Sequence, residues 1–419
     1  MRRSALVLVL VMLLLAGCGP ATPASTAPAT AGAGAGLASD RLGVLRPQDE
    51  TGFAVAALPR RFEFPQDHGP HPAFRHEWWY LTGQLRGADG RWFGFELTFF
   101  RLALRPPPAA AADPAVALPA AGSAWRARQI YAAHFALTDV QRGRFFSTSR
   151  YERDALGLAG AQAAPFAVRV ADWCLVQAAG PAAAAEPGGM LHWQLQAADA
   201  QYQLHLDLRG SQPPVLNGDG GLSRKSGEPG AASYYYSMPR LQASGRIGGP
   251  QGSVAVTGLA WLDREWGSGS LGAQQQGWDW FALDLSDGSA LMFYALRDRD
   301  GRRDEHSAGT FVDASGQATA LANADVDIAV RAHWTSPRGG RYPAQWTVNV
   351  GSQDLHLEIT PLLADQELAT QPRYWEGAVQ VTGRRGAAPV SARGYVELVG
   401  YAQAQATASS PSASAPPNH

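Results

Sequence analysis

The chain has 419 residues, a formal charge of −1 and only 17% charged residues, and without basic runs it lacks the electrostatic footprint of a nucleic-acid binder. Its two cysteines cannot supply a disulfide framework, so stability must come from a hydrophobic core. Trp (13) and Gly (46) are plentiful, which suits short aromatic strands joined by tight turns.

Met1-Arg2-Arg3 leads into an apolar run, Ala5–Leu15, too short to span a bilayer, and then into Leu15-Ala16-Gly17-Cys18. That is a secretory signal over residues 1–17 ending in the form of a bacterial lipobox, which predicts diacylation of Cys18. Several acyl chains on one residue give stable anchoring. Gly19, in place of an Asp, favours the outer membrane. The expected location is the bacterial cell envelope, on the periplasmic face of the outer membrane, with the membrane as a partner through Cys18. Residues 18–57, including the Ala/Pro/Thr/Ser/Gly run Ala21–Ala38, read as anchor and flexible linker; 403–419 reads as a disordered tail.

Pro65–Tyr80 (PQDHGPHPAFRHEWWY) opens the patterned sequence. Its three histidines, Asp67 and Glu77 are the residue types of a zinc site. Pro70 and Pro72 stiffen the loop, however, and the spacing fits neither a helical nor a knuckle pattern, so no metal is expected. Two uses remain open. The stretch could plug a barrel end, with His68 and Glu77 bonding backbone, or His68 and His76 could act as acid–base groups at a pocket mouth.

Beyond Trp78 the pattern has period two. Trp79, Leu81 and Leu85 share one face and Trp78, Tyr80, Thr82 and Gln84 the other, and Asp89-Gly90 turns the chain into a second alternating run. The pattern repeats: Trp78, Tyr80 and Leu85 recur 200 residues later as Trp278, Trp280 and Leu285, and Tyr236…Gly245…Gly258 recurs as Tyr374…Gly383…Gly394. The expectation is an all-β chain of two tandem antiparallel β-barrels, at residues 58–270 and 271–402.

Asp263-Arg264-Glu265-Trp266 carries the most chemistry. Trp261, Asp263 and Glu265 share one strand face, and Leu262, Arg264 and Trp266 the other. The group is either an ion-pair network closing a barrel or a carboxylate in an apolar pocket with Arg264 orienting substrate. Trp278-Asp279-Trp280 lies across the barrel junction, and Tyr235, Tyr236 and Arg240 combine stacked aromatics with a cation. No Gly-x-Ser-x-Gly elbow, P-loop, dinucleotide fingerprint or catalytic cysteine signature occurs, and no cofactor is expected.

Four blocks, FPQDHGPHPAFRHEWWYLTGQL, SRKSGEPGAASYYYSMPRL, WLDREWGS with GWDWFALDLSDGSALMFYALR, and YWEGAVQVTG with GYVELVGY, resemble the carotenoid 1,2-hydratase (CrtC)/AttH-like family over about Phe62–Tyr401. The resemblance implies tandem lipocalin-like barrels. It also implies protonation of an alkene, then capture of the cation by water. In the hydratases a His–Asn–Trp triplet is implicated where Arg264, Glu265 and Trp266 stand here. Trp266 keeps the pattern and the other two do not, which implies a site turned toward a more polar or anionic group.

The leading expectation is an elongated lipophilic ligand, isoprenoid- or lipid-like, held at the seam between the barrels. Trp266, Trp278, Trp280, Tyr235 and Tyr236 would line it, with Trp78, Tyr80, Glu77 and Arg240 beside them. Asp263, Arg264, Glu265 and Asp279 would meet its polar end. One alternative is a cofactor-free acid–base enzyme, a hydratase or hydrolase, using Asp263 or Glu265; the other is a structural envelope lipoprotein.

Overall fold

A computed structural model describes residues 50–107, 127–179, 191–269, 271–370 and 372–402. The readings of the signal, Cys18, most of the linker and the tail lie outside the described residues.

The first sheet contains β1 (His76–Gly87), β2 (Trp92–Ala103), β3 (Gln129–Asp139), β4 (Arg144–Arg153), β5 (Ala159–Gln162), β6 (Ala167–Val170), β7 (Trp173–Gln177), β8 (His192–Ala198), β9 (Gln203–Arg209), β10 (Val215–Leu216), β11 (Leu222–Arg224), β12 (Ala232–Gly249) and β13 (Gly252–Gly267). The second contains β14 (Gln275–Leu285), β15 (Ala290–Asp298), β16 (Ala308–Val312), β17 (Ala318–Ala322), β18 (Val326–Thr335), β19 (Arg341–Val350), β20 (Leu355–Pro361), β21 (Glu367–Leu368), β22 (Tyr374–Arg385) and β23 (Ala388–Leu398). The fold is almost all-β, a nearly closed barrel followed by a half-barrel in two tandem units, as the alternation predicts.

The sequence repeat is a repeat of topology. The first sheet runs β4-β3-β2-β1-β13-β12-β9-β8-β7-β6-β5, and the second runs β17-β16-β15-β14-β23-β22-β20-β19-β18. Thus β1 corresponds to β14, β13 to β23 and β12 to β22. Both opening hairpins turn at an Asp-Gly whose glycine has positive φ, +84° at Gly90 and +90° at Gly288, a conformation that costs glycine little.

The shared glycines have a steric cause. A Cβ at Gly245 would lie 2.0 Å from the His205 carbonyl oxygen, and one at Gly258 2.1 Å from that of Gln84. In the second unit, Gly383 meets His356 O and Gly394 meets Ala282 O, each at 2.1 Å. These are the points where neighbouring backbones approach too closely for any side chain.

Period two then decides what each strand buries. Trp79, Leu81, Leu85, Phe95, Leu97, Tyr236 and Trp266 fill the first barrel. Phe281, Leu283, Phe293, Trp346 and Trp375 fill the second. A third cluster, with Tyr80, Tyr235, Trp261, Trp280, Met292, Tyr294 and Tyr395, comes from the outer faces of both and joins them. Polar bonds cross the same junction. Gln84 Nε2 donates to the carbonyls of Val379 (2.7 Å) and Gly394 (2.8 Å), and Thr138 Oγ1 donates to Gln366 Oε1 at 2.8 Å.

Candidate active site

The register of β1, β13 and β12 sorts the predicted residues into two groups. Trp78 pairs with Glu265 and Tyr80 with Asp263, while Trp79 pairs with Arg264 and Glu77 with Trp266. On the other side of β13, Tyr235 pairs with Glu265 and Tyr236 with Arg264. Directly opposed residues share a face, so Trp78, Tyr80, Tyr235, Asp263 and Glu265 face the seam. Glu77, Tyr236, Arg264 and Trp266 face the interior of the first barrel.

That parity corrects the expectation that Arg264, Trp266, Tyr236 and Glu77 line the seam. Arg264, fully buried, sits 3.9 Å over the Trp79 ring and donates to Glu77 Oε2 and to the carbonyls of Gly69 (2.5 Å) and Trp78 (3.1 Å). Arg101 Nε holds the other Glu77 oxygen. Burial disfavours the Glu77 carboxylate, but the two guanidiniums outweigh it and hold its pKa well below the usual range. His71 stacks on Trp266 at 3.8 Å, with its ring nitrogens on Asp67 (3.0 Å) and Glu77 (3.2 Å). His68 Nδ1 lies 2.6 Å from the Tyr236 hydroxyl, and its carbonyl accepts from Trp79 Nε1 at 2.9 Å. The opening stretch is therefore a plug on the first barrel, and His68 is part of it.

Three further placements differ from expectation. Asp279 faces the second barrel's side of β14, where Arg297 (2.7 Å) and the Tyr401 hydroxyl (2.9 Å) hold it. Arg240, at a bulge in β12, lines a separate cleft of about 460 Å³ with Asp284, Gln84 and Arg393. His76 is on the seam face of β1 but stacks on Trp78 at 5.8 Å. Burial lowers its pKa to about 3, aided by the charges of Arg101 and Arg75, so it is neutral and carries no exchangeable charge near pH 7.

What the seam does enclose is a cavity of about 110 Å³. Its walls are Trp78, Tyr80, Phe100, Trp278, Trp280, Tyr294 and Tyr374, and its polar groups include Tyr235, Asp263, Glu265, Lys225 and Glu397. Asp263 Oδ1 accepts from Ser237 Oγ (2.5 Å) and Trp261 Nε1 (2.7 Å), and Oδ2 accepts from the Tyr235 hydroxyl. The Tyr235 oxygen in turn accepts from Trp280 Nε1 at 3.2 Å. Desolvation outweighs these donors and lifts Asp263 to about 6. Glu265 pairs with Lys225 Nζ at 3.0 Å. Burial opposes the ammonium, but the Glu265 charge prevails and raises the Lys225 pKa.

Glu397 was not among the residues singled out from sequence. It pairs in register with Trp280 on one side and Glu376 on the other, and accepts from Trp278 Nε1 at 2.9 Å. Burial lifts its carboxyl to about 7; the Trp278 bond lowers it, and the charges of Asp263 and Glu265 push it up further. One sequence signal was present: Glu397 alternates with the apolar Val396 and Leu398, which places an acid on a strand's outer face. Lys225 and Tyr294 were also missed, since only the packing of the two barrels brings them here.

An aromatic cavity lined by buried carboxyls, between two lipocalin-like units, defines a class: a tandem-barrel protein with a polar-lined aromatic cavity at the junction. Comparison with known families agrees. The AttH-like family model matches residues 55–401, and the chain belongs to that family. A crystal structure of an AttH from Nitrosomonas europaea is 36% identical, covering 84% of this chain and 100% of that one, with a TM-score of 0.71. Kievitone hydratase from Nectria haematococca shares the fold at 14% identity, covering 86% of this chain and 99% of that one, with a TM-score of 0.60. No curated protein matches the chain.

Proposed function

We propose that this protein is a cofactor-free acid–base enzyme of the hydratase type, acting on a lipophilic unsaturated molecule held in the seam. The observation that carries the reading is Glu397: a buried carboxyl titrating near 7 beside the indole of Trp278, in the same cavity as Asp263. The hydrogen bonds distinguish the two groups: Asp263 accepts from Ser237, Tyr235 and Trp261, which favours its carboxylate, whereas Glu397 accepts from Trp278. Burial lifts both carboxyls above the usual range, Asp263 to about 6 and Glu397 to about 7, so each can change protonation near neutral pH. The hydratase fold supports the reading without fixing a substrate.

In the reaction Glu397 gives its proton to one carbon of a carbon–carbon double bond. The positive charge on the other carbon lies against the electron-rich faces of Trp78, Trp278 and Trp280. A water molecule gives its proton to Asp263 as its oxygen bonds to the cation. One water is added overall, and the proton on Asp263 balances the one lost from Glu397. Binding of an apolar ligand is the first step of this sequence, so a carrier role differs only in lacking the chemistry.

The test uses an acyclic isoprenoid alkene with the purified protein in oxygen-18 water. An alcohol carrying oxygen-18 is expected, with formation reduced on the order of 10²–10⁴-fold in Glu397→Gln. Full activity in that variant removes Glu397 as the acid. No alcohol, together with a co-purifying lipid displaced by seam substitutions, would leave binding alone.

The Leu15–Cys18 motif supports a lipid anchor that places this site on the periplasmic face of the outer membrane. Partition of the protein into membranes is expected to be lost in Cys18→Ser; unchanged partition would overturn the anchor.

A further inference from the structure

Two more acids lie behind Glu397, and the reaction above leaves them unused. Glu96 on β2 and Glu376 on β22 are both fully buried, one from each barrel. Glu376 stands directly opposite Glu397 in the β22–β23 ladder, so their Cβ atoms are about 5 Å apart and their side chains share a face. Glu376 Oε2 accepts from the Tyr80 hydroxyl at 3.0 Å, and Glu96 Oε1 accepts from Thr98 Oγ1. The second oxygen of each, Glu96 Oε2 and Glu376 Oε1, is buried without a hydrogen-bond partner among the described residues.

Among the described residues, the surroundings contain no charge that would favour two carboxylates. The groups acting on Glu96 are Thr98 and Glu397, and those acting on Glu376 are Glu397, Glu96 and Tyr80. Tyr374 and Tyr395 also feel both acids. His134, bonded to the Tyr374 hydroxyl at 2.7 Å, is driven neutral by burial. Lys225, the cation of the cavity wall, is committed to Glu265. Like charges opposed across a ladder are destabilising, and an unpaired buried carboxylate costs more than its neutral form. Burial first, then the neighbouring acids, raises both pKa values well above the carboxylate range.

We propose that Glu96 and Glu376 are a neutral buried carboxyl pair, one from each barrel, that backs Glu397 without adding a negative charge behind it. The inference rests on the acid role assigned to Glu397. Glu397 lines the cavity and regains its proton from solvent as the proton taken by Asp263 leaves to solvent, so the cycle closes without an added reagent. Glu376 and Glu96 are positioning residues in this scheme; neither touches the substrate.

Infrared spectroscopy of the protonated-carboxyl stretch tests the neutral pair without any substrate. In the wild type at about pH 9, roughly two units above the Glu397 midpoint, two buried carboxyls should remain protonated. Glu96→Gln and Glu376→Gln should each remove one band. Because the pair is neutral, Glu376→Gln should leave the Glu397 midpoint within about half a unit. Glu397→Gln should remove one of the bands that titrate near neutrality, where Asp263 and Asp284 also titrate, and keep the two that persist to about pH 9. Absence of protonated carboxyl at about pH 9 would overturn the proposal, as would bands insensitive to both substitutions or a fall of about a unit or more in the Glu397 midpoint in Glu376→Gln. Tyr80→Phe provides a folded control that shifts the Glu376 band and retains it. Lack of hydration by the wild type with all three bands in place would refute the acid role and leave the protonated pair standing.

Discussion

Arg264→Met separates a brace from a substrate-binding residue. The guanidinium contacts Glu77, the carbonyls of Gly69 and Trp78, and the face of Trp79, all inside the first barrel. The substitution keeps much of the side-chain volume but leaves Glu77 with Arg101 as its one guanidinium partner, beside His71, and removes a donor from each of two carbonyls. Removing one partner of a buried ion pair costs about 3–5 kcal/mol. For a unit of roughly 200 residues each kcal/mol lowers Tm by about 2–4 °C, so a fall of at least about 6 °C is expected. Differential scanning calorimetry measures it, with seam-ligand binding recorded below the transition on the same sample. Binding and any hydration should survive as long as the protein is folded. A fall under about 2 °C combined with loss of binding would refute the parity argument and return Arg264 to the site. The triple replacement Glu77→Leu, Arg101→Met, Arg264→Met should recover much of the loss, because a whole buried ion group can be exchanged for apolar packing at little cost.

Other expectations concern pH and backbone. Glu397 rises from 4.5 to about 7 in the folded state, so its stabilising contribution is complete below 4.5 and is lost as pH rises to about 7. The contribution is about 3 kcal/mol, and Glu397→Gln should flatten that part of a Tm–pH curve; an unchanged slope would count against a raised pKa. His134 has the opposite sign. Burial lowers it from 6.5 to about 3, so its contribution is present above 6.5 and is lost as pH falls toward 3. His134→Gln should keep a partner for Tyr374 and reduce the decline in Tm between pH 6.5 and about 3, the shares of His76 and Glu77 remaining; a decline as steep as in the wild type would count against a lowered His134. Gly258→Ala places a methyl against the Gln84 carbonyl and should cost about 1–3 kcal/mol in denaturant unfolding. Gly160→Ala meets no neighbour within 4 Å and should be neutral or stabilising by up to about 1 kcal/mol. Equal effects at the two glycines would deny the close approach.

The fold was legible because its causes are local. Alternation in β1 and β2, the two Asp-Gly turns and the spaced glycines each follow from the conformation of a few neighbouring residues. The site was legible only as far as one strand reaches. Asp263, Glu265, Tyr235, Trp78, Tyr80, Trp278 and Trp280 do converge on one cavity. Arg264 and Trp266 were grouped with them by adjacency in sequence, although the same alternation that defined the strand placed them on its other face. Tyr236 failed for the same reason. Glu397 and Lys225 were missed because their relation to Asp263 depends on the register of β23 against β14 and on the course of a Gly-rich segment into β11. Neither relation is a property of any short stretch.

The cavity belongs to neither barrel alone. Each barrel has filled its own interior with tryptophan, leucine and phenylalanine, and the working surface has moved to the outside wall where the two lean on each other. A lipocalin-like unit of this kind is a structural half, much as one jaw is half of a clamp. Separating the units would leave two well-packed bodies, one bearing Asp263 and the other Glu397, with nothing enclosed between them. Substitutions inside the barrels should therefore be felt as stability, and those on the shared wall as chemistry, which reverses the usual arrangement of a barrel that works from within.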